Sequence, residues 1–161
     1  MVTVSTITPV YQGENYLGQL VEKLEEVRAA WATQYGDLKL IESIFVIDGA
    51  KDNSANVLYE LAKERNWIRV IELSKNYGQH PATIAGILHS SGEWVITLDE
   101  DLQHNPTFII QFLEEVVKKN SDICYARSSE KTHNSFIKDK LAILFKPVSY
   151  THLTLPTICS V

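Results

Sequence analysis

Three carboxylates in succession, Asp99, Glu100 and Asp101, interrupt the stretch "WVITLDEDLQHNP". Adjacent like charges repel and raise one another's pKa unless a cation or solvent relieves them. Asp99 and Asp101 flank a single residue, and carboxylates so spaced can bind a hard divalent ion, Mg2+ or Mn2+, with positions left for phosphate oxygens. Such an ion stabilises the charge that gathers on a departing diphosphate. Short acidic clusters also occur in solvated turns. The setting favours chemistry here, because a buried-looking apolar run precedes the acids and a helix start follows them. Two other loops carry candidate groups. In "FVIDGAKDNS", Asp48 could accept hydrogen bonds from a nucleobase or ribose while Gly49 lets the backbone turn, or it could be a plain turn acid beside a capped helix. In "SKNYGQHPAT", Lys75, Asn76, Gly78 and His80 precede a helix N-terminus, where backbone N–H groups and a cation could meet an anion. The five histidines show no spacing that argues for a ligand set or a triad, and His89 reads as structural.

These loops need a scaffold that gathers them. Strands are expected at Val2–Thr8, "LKLIESIFVID", "IRVIEL", "WVITL" and "DICYAR". Between them, apolar residues recur at helical spacing: Leu17, Leu20, Val21, Leu24 and Val27 in one segment, then Leu58, Leu61 and Ala62 behind Ser54 as N-cap, then "PATIAGILHSS". A further helix starts at Asn105-Pro106 and buries Ile109, Phe112, Leu113, Val116 and Val117. "FIKDKLAILF", Phe136 to Phe145, reads as a last amphipathic helix that could face the core or a membrane surface. Strand–helix alternation implies an α/β fold, a mostly parallel sheet with helices on both faces. Ligands of such sheets bind at the carboxyl ends of the strands, which would bring the loops at Pro9–Tyr11, Asp48, Lys75–Tyr77 and Asp99–Asp101 to one edge.

The 161 residues, 45% hydrophobic and 22% charged, suit one soluble domain with a sizeable core. A net charge of −5 with interleaved signs disfavours a nucleic-acid partner. Two cysteines without CxxC spacing suggest a reducing compartment, and the first strand leaves no room for a leader peptide, so a cytoplasmic protein is expected. "VSYTHLTLPTICSV" lacks charge and clear period. It resembles translated sequencing-adapter DNA, so residues 148–161 are set apart as a non-native tail on an incomplete domain of residues 1–147.

Four ordered motifs, spread from Val2 to about Lys146, resemble the family 2 glycosyltransferases. "PVYQGEN" is similar to the family's P-V-Y-N-E loop and "VIDGAKDNSA" to V-D-D-G-S-x-D-N-S-A. "LSKNYGQHPATIAGI" resembles L-x-R-N-Y-G-Q-H-x-A-x-x-A-G, and "GEWVITLDEDLQHNP" resembles G-D-x-x-I-x-L-D-A-D-L-Q-x-P-P. The last two look most like the branch that moves sugars onto polyprenyl phosphates, the dolichyl- and undecaprenyl-phosphate sugar transferases. The resemblance implies a Rossmann-like GT-A fold whose C-terminal part is missing here. It also implies a nucleotide-diphosphate sugar, UDP- or GDP-linked, as donor. Pro9, Tyr11, Glu14, Asp48, Lys75, Gly78, Glu100 and Gln103 would then serve nucleotide-sugar binding, with Val46 beside the base through its backbone. Arg127, in "YAR", would approach the phosphates. Asp99 and Asp101 would be catalytic, holding Mg2+ or Mn2+ and the diphosphate. The chain departs from the pattern at Ile47, Ala50, Gly13-Glu14 and Glu100, the last standing where the family usually has Ala.

The function expected is metal-dependent, inverting transfer of a sugar from a nucleotide-diphosphate sugar to a polyprenyl phosphate acceptor. A missing C-terminal part could bring the full-length protein to the cytoplasmic face of a membrane. Two rivals stand beside it: a non-catalytic nucleotide-sugar-binding fragment, and a haloacid-dehalogenase-type phosphatase, whose D-x-D follows the first strand and not the fourth.

Overall fold

The structure, a computed structural model, describes residues 1–103, 105–125, 143–145 and 158–160. Its centre is four parallel strands, β1 (Val2–Val10), β2 (Leu38–Ile47), β3 (Ile68–Glu72) and β4 (Trp94–Thr97). Three short strands follow, β5 (Ile123–Tyr125), β6 (Ile143–Phe145) and β7 (Ile158–Ser160), and the sheet order is β3-β2-β1-β4-β6-β5-β7. Helices α1 (Leu17–Gln34), α2 (Ser54–Glu64), α3 (Gln79–Leu88) and α4 (Ile109–Lys119) alternate with the first five strands.

Side-chain alternation along each strand divides the core into two layers. Val4 and Val10 of β1, Phe45 and Ile47 of β2, and Ile96 of β4 form one buried cluster with Leu20 and Leu24 of α1, Leu58 of α2 and Leu113 of α4. Ile7, Ile44, Val46 and Val95 face the other way and bury Ala82 of α3. The expected sheet with helices on both faces is therefore present. Partners step from Val4↔Leu40 to Ser5↔Glu42, so Ile41 is an extra residue in β2. This bulge reverses the parity of β2, which is why Leu40 and Phe45 share a layer.

Three expectations are corrected. Ile143–Phe145, read as the end of an amphipathic helix, is a strand antiparallel to both β4 and β5. A short apolar run does not distinguish buried helix from strand by period, and the unpaired edges of β4 and β5 supply the partners that decide it. Residues 136–142 lie outside the described residues. Ile158–Ser160, in the stretch with no clear period, pairs in parallel with β5. Ser54, expected as the N-cap of α2, is instead its first residue after Asn53, and its hydroxyl is turned to Asp52 Oδ1 at 2.6 Å. Asn105 does cap as expected, accepting from the Thr107 N–H at 3.1 Å ahead of Pro106, although the first turn is 3-10 in form.

Candidate active site

The carboxyl ends of β1, β2 and β4, with the loop entering α3, enclose a cleft of about 240 Å³. It is lined by Pro9, Val10 and Tyr11 from the first loop, Asp48 from the second, Asn76, Gly78 and Gln79 from the third, and Asp99, Glu100 and Asp101 from the fourth. Residues separated by some ninety positions meet because parallel crossovers return every strand end to the same edge.

Asp48 is 3% exposed, and its carboxylate organises the third loop. Oδ1 accepts from the Tyr77 N–H at 2.7 Å and Oδ2 from the Gly78 N–H at 2.8 Å, while the Asn76 side-chain amide donates to the Asp48 carbonyl at 3.0 Å. Gly49 turns at φ +61° directly beneath that loop, and a Cβ there would lie 2.5 Å from the Asn76 nitrogen. Gly78 has φ +98°, a backbone that side chains with a Cβ rarely adopt, and it sets the α3 N-terminus against the cleft.

Asp99, Glu100 and Asp101 are all partly buried. Gln79 donates its side-chain amide to Asp99 Oδ1 at 2.8 Å, and Asp101 Oδ1 accepts from the Gln103 N–H at 3.2 Å. Leu102, between them, has φ 58°, a left-handed turn that is uncommon for leucine and reverses the chain toward the capped turn at Asn105. Glu100 turns the other way. Its Oε2 accepts from the Tyr11 N–H at 3.0 Å and its Oε1 from the Gln12 N–H at 3.2 Å. Burial raises the Glu100 pKa, the two backbone donors offset part of that, and the charges of Asp52 and Asp101 raise it further.

Among the described residues, no group of three or more His, Cys, Asp or Glu is arranged to hold a metal ion. The donor set at the cleft is the Asp99/Asp101 pair. It fits a hard divalent ion that shares its coordination between one or two carboxylates and a ligand's phosphates, and does not fit a cage made by the protein alone.

Of the residues expected at the site, Pro9, Tyr11, Asp48, Gly78, Asp99, Glu100 and Asp101 are brought together. Glu14 is not in the cleft lining; its Oε2 accepts from the Asn53 N–H at 2.7 Å and ties the first loop to the second. Val46 is fully buried in the α3-side layer. Lys75 lies outside the lining with its Nζ 5.1 Å from the Tyr77 ring centroid, and Gln103 enters only through its N–H on Asp101. Arg127 lies outside the described residues. Gln79 was missed, although the "NYGQH" string contains it, because only the fold shows that α3 starts opposite β4. His89 is structural as expected, its Nδ1 lying 2.8 Å from the Ala85 carbonyl.

A mostly parallel sheet with an acidic pair and a helix N-terminus at its carboxyl edge is an arrangement in which α/β proteins bind ligands. The chain belongs to Glycosyl transferase family 2, whose profile matches residues 5–157. It is 33% identical over 146 residues to an undecaprenyl-phosphate 4-deoxy-4-formamido-L-arabinose transferase of Klebsiella pneumoniae (strain 342), covering 84% of this chain and 43% of that protein. The transferase of the same description from Proteus mirabilis (strain HI4320) is 38% identical over 136 residues, covering 84% and 40%. These relatives fall in the branch to which the motifs pointed. The fold is shared with S. aureus TarS 1-349, at TM-score 0.61 and 19% identity, covering 84% of this chain and 38% of that one. It is shared also with the mannosyltransferase PcManGT from Pyrobaculum calidifontis, solved with GDP-Man and Mn2+, at TM-score 0.58 and 18% identity over 78% of this chain and 35% of that one. The chain spans less than half the length of the curated relatives it matches. No helix among the described residues is long and apolar enough to cross a membrane.

Proposed function

We propose that this chain is the donor-binding part of an inverting glycosyltransferase that takes a sugar from a nucleotide diphosphate to a polyprenyl phosphate. The observation that supports this most is the convergence of Pro9, Tyr11, Asp48, Asp99 and Asp101 on one cleft. The named activities of its relatives point to the acceptor class. In this reading Pro9 and Tyr11 border the nucleotide. Asp48 acts on it indirectly, by holding the third loop so that Gly78 and the α3 N-terminus face the phosphates. Gln79 fixes the Asp99 side chain through its amide. Asp99 and Asp101 would hold Mg2+ or Mn2+, which when bound supplies Lewis-acid stabilisation of the leaving diphosphate. An acceptor phosphate oxygen is already anionic, so attack on the anomeric carbon needs no strong base from the protein. By the family resemblance, Arg127 would approach the phosphates. The acceptor-side groups and a membrane-associated part would belong to the portion by which the relatives exceed this chain.

Calorimetric titration with UDP- and GDP-sugars, with and without Mn2+, tests the reading. Binding should be tighter with the ion than without it, and Asp101→Ala should weaken the ion-supported binding by about tenfold or more, as expected when a carboxylate ligand is lost. Ion-independent binding that is unchanged in the variant would overturn the metal–diphosphate assignment. A second reading, a fragment that binds donor and transfers nothing, is favoured by the chain's coverage of 43% of its relative. Donor binding without sugar transfer to a polyprenyl phosphate would select it.

A further inference from the structure

Four consecutive backbone N–H groups of the first loop are each accepted by a side chain from another loop. Tyr11 and Gln12 donate to Glu100, Gly13 donates to Ser54 Oγ at 3.0 Å, and Glu14 donates to Asp52 Oδ2 at 3.1 Å. Glu100 is thus the bond between the acidic loop and the loop that carries Pro9 and Tyr11. The fit is close. Gly13 is buried, and a Cβ on it would stand 2.6 Å from Glu100 Oε2 and 3.2 Å from Leu17 Cγ. A Cβ at position 13 would therefore press on the Glu100 carboxylate, which would have to shift, so two separate departures from the family pattern touch in the fold.

We infer that Glu100 is a positioning residue, a strut that sets the Pro9–Tyr11 loop relative to Asp99 and Asp101, and not a third ligand of the acidic cluster. This rests on the reading that the cleft takes a nucleotide diphosphate. With the carboxylate removed, the Tyr11 and Gln12 amides lose their acceptor and the loop loses its register over the cleft. The Asp99/Asp101 pair remains intact.

The test is a double-mutant cycle in the full chain with Glu100→Ala, Gly13→Ala and the double variant, using UDP and GDP as probes with and without Mn2+. Glu100→Ala should weaken nucleotide binding by about tenfold while the ratio of affinities with and without Mn2+ stays as in the parent. Gly13→Ala should weaken it less, by shifting the carboxylate, and should add little in the Glu100→Ala background. Glu100→Gln, which keeps one acceptor oxygen, should fall between. Additive effects of the two substitutions, or a collapse of the Mn2+ ratio in Glu100→Ala, would overturn the inference. Amide hydrogen exchange by NMR reads the strut without any nucleotide. The Tyr11 and Gln12 N–H groups should be protected in the parent chain and lose that protection in Glu100→Ala. Exchange unaffected by the variant counts against the strut. A parent chain that protects these amides but binds neither UDP nor GDP overturns only the nucleotide reading.

Discussion

Asp48 illustrates how a residue can serve a ligand without reaching it. Both carboxylate oxygens are engaged by consecutive N–H groups, at Tyr77 and Gly78, in a site 3% open to solvent. An asparagine there would turn its NH2 toward one of those donors and leave a part-buried N–H without an acceptor, at a cost of about 1 kcal/mol. Asp48→Asn should therefore lower the melting temperature and weaken donor binding together, in thermal denaturation and calorimetry. Glu100 differs in its partners: it lines the cleft with Asp99 and Asp101, but its carboxylate accepts from the Tyr11 and Gln12 N–H groups of the first loop. The string "DED" alone gives the three acids one identity, and their backbone and partners give them two.

The elements hold the site through their ends. The loop between β3 and α3 rests on the turn at Gly49, whose φ of +61° and 2.5 Å clearance to the Asn76 nitrogen leave no room for a side chain. Gly49→Ala combines a left-handed backbone with a clash against main chain, and it should cost about 2 kcal/mol or more. Because the displaced loop is the one that Asp48 organises, nucleotide affinity should fall with stability. Thermal melts and titrations of that variant check both. Beside it, the insertion of β6 between β4 and β5 shows how a strand is chosen by available edges more than by its own period.

Across the molecule, toward the amino ends of the strands, lies a second buried carboxylate. Glu42, on β2, accepts from Ser5 Oγ at 2.8 Å, from the Ser91 N–H at 2.6 Å and hydroxyl at 2.7 Å, and from Arg69 at 2.7 Å. Burial raises its pKa, but the bonds from Arg69, Ser91 and Ser5 outweigh burial and hold it below the usual carboxylate range. A carboxylate lowered on folding contributes stability that is present above its unfolded pKa and lost as pH falls through its folded one. Acid titration of stability should therefore show a loss below the ordinary glutamate range that is absent in Glu42→Gln, measured by denaturant melts at stepped pH. Glu42→Ala should cost about 2 kcal/mol at neutral pH, since it leaves the buried Ser5 hydroxyl without its acceptor and removes the bonds from Ser91 and Arg69. The alternation of strands and helices, the two-layer core and the return of four loops to one edge were all legible in the sequence. They depend on local period and on the handedness of parallel crossovers, both of which are properties of short segments. The acids Asp99 and Asp101 were legible for the same reason, since they stand at a strand's end. Tertiary structure alone decided that Glu100 faces the first loop, that Gln79 meets Asp99, that Val46 is core, and that Ile143–Phe145 is a strand. Each of these is a contact between segments distant along the chain, and a side chain's partner or a strand's neighbour is set by what the fold brings within reach.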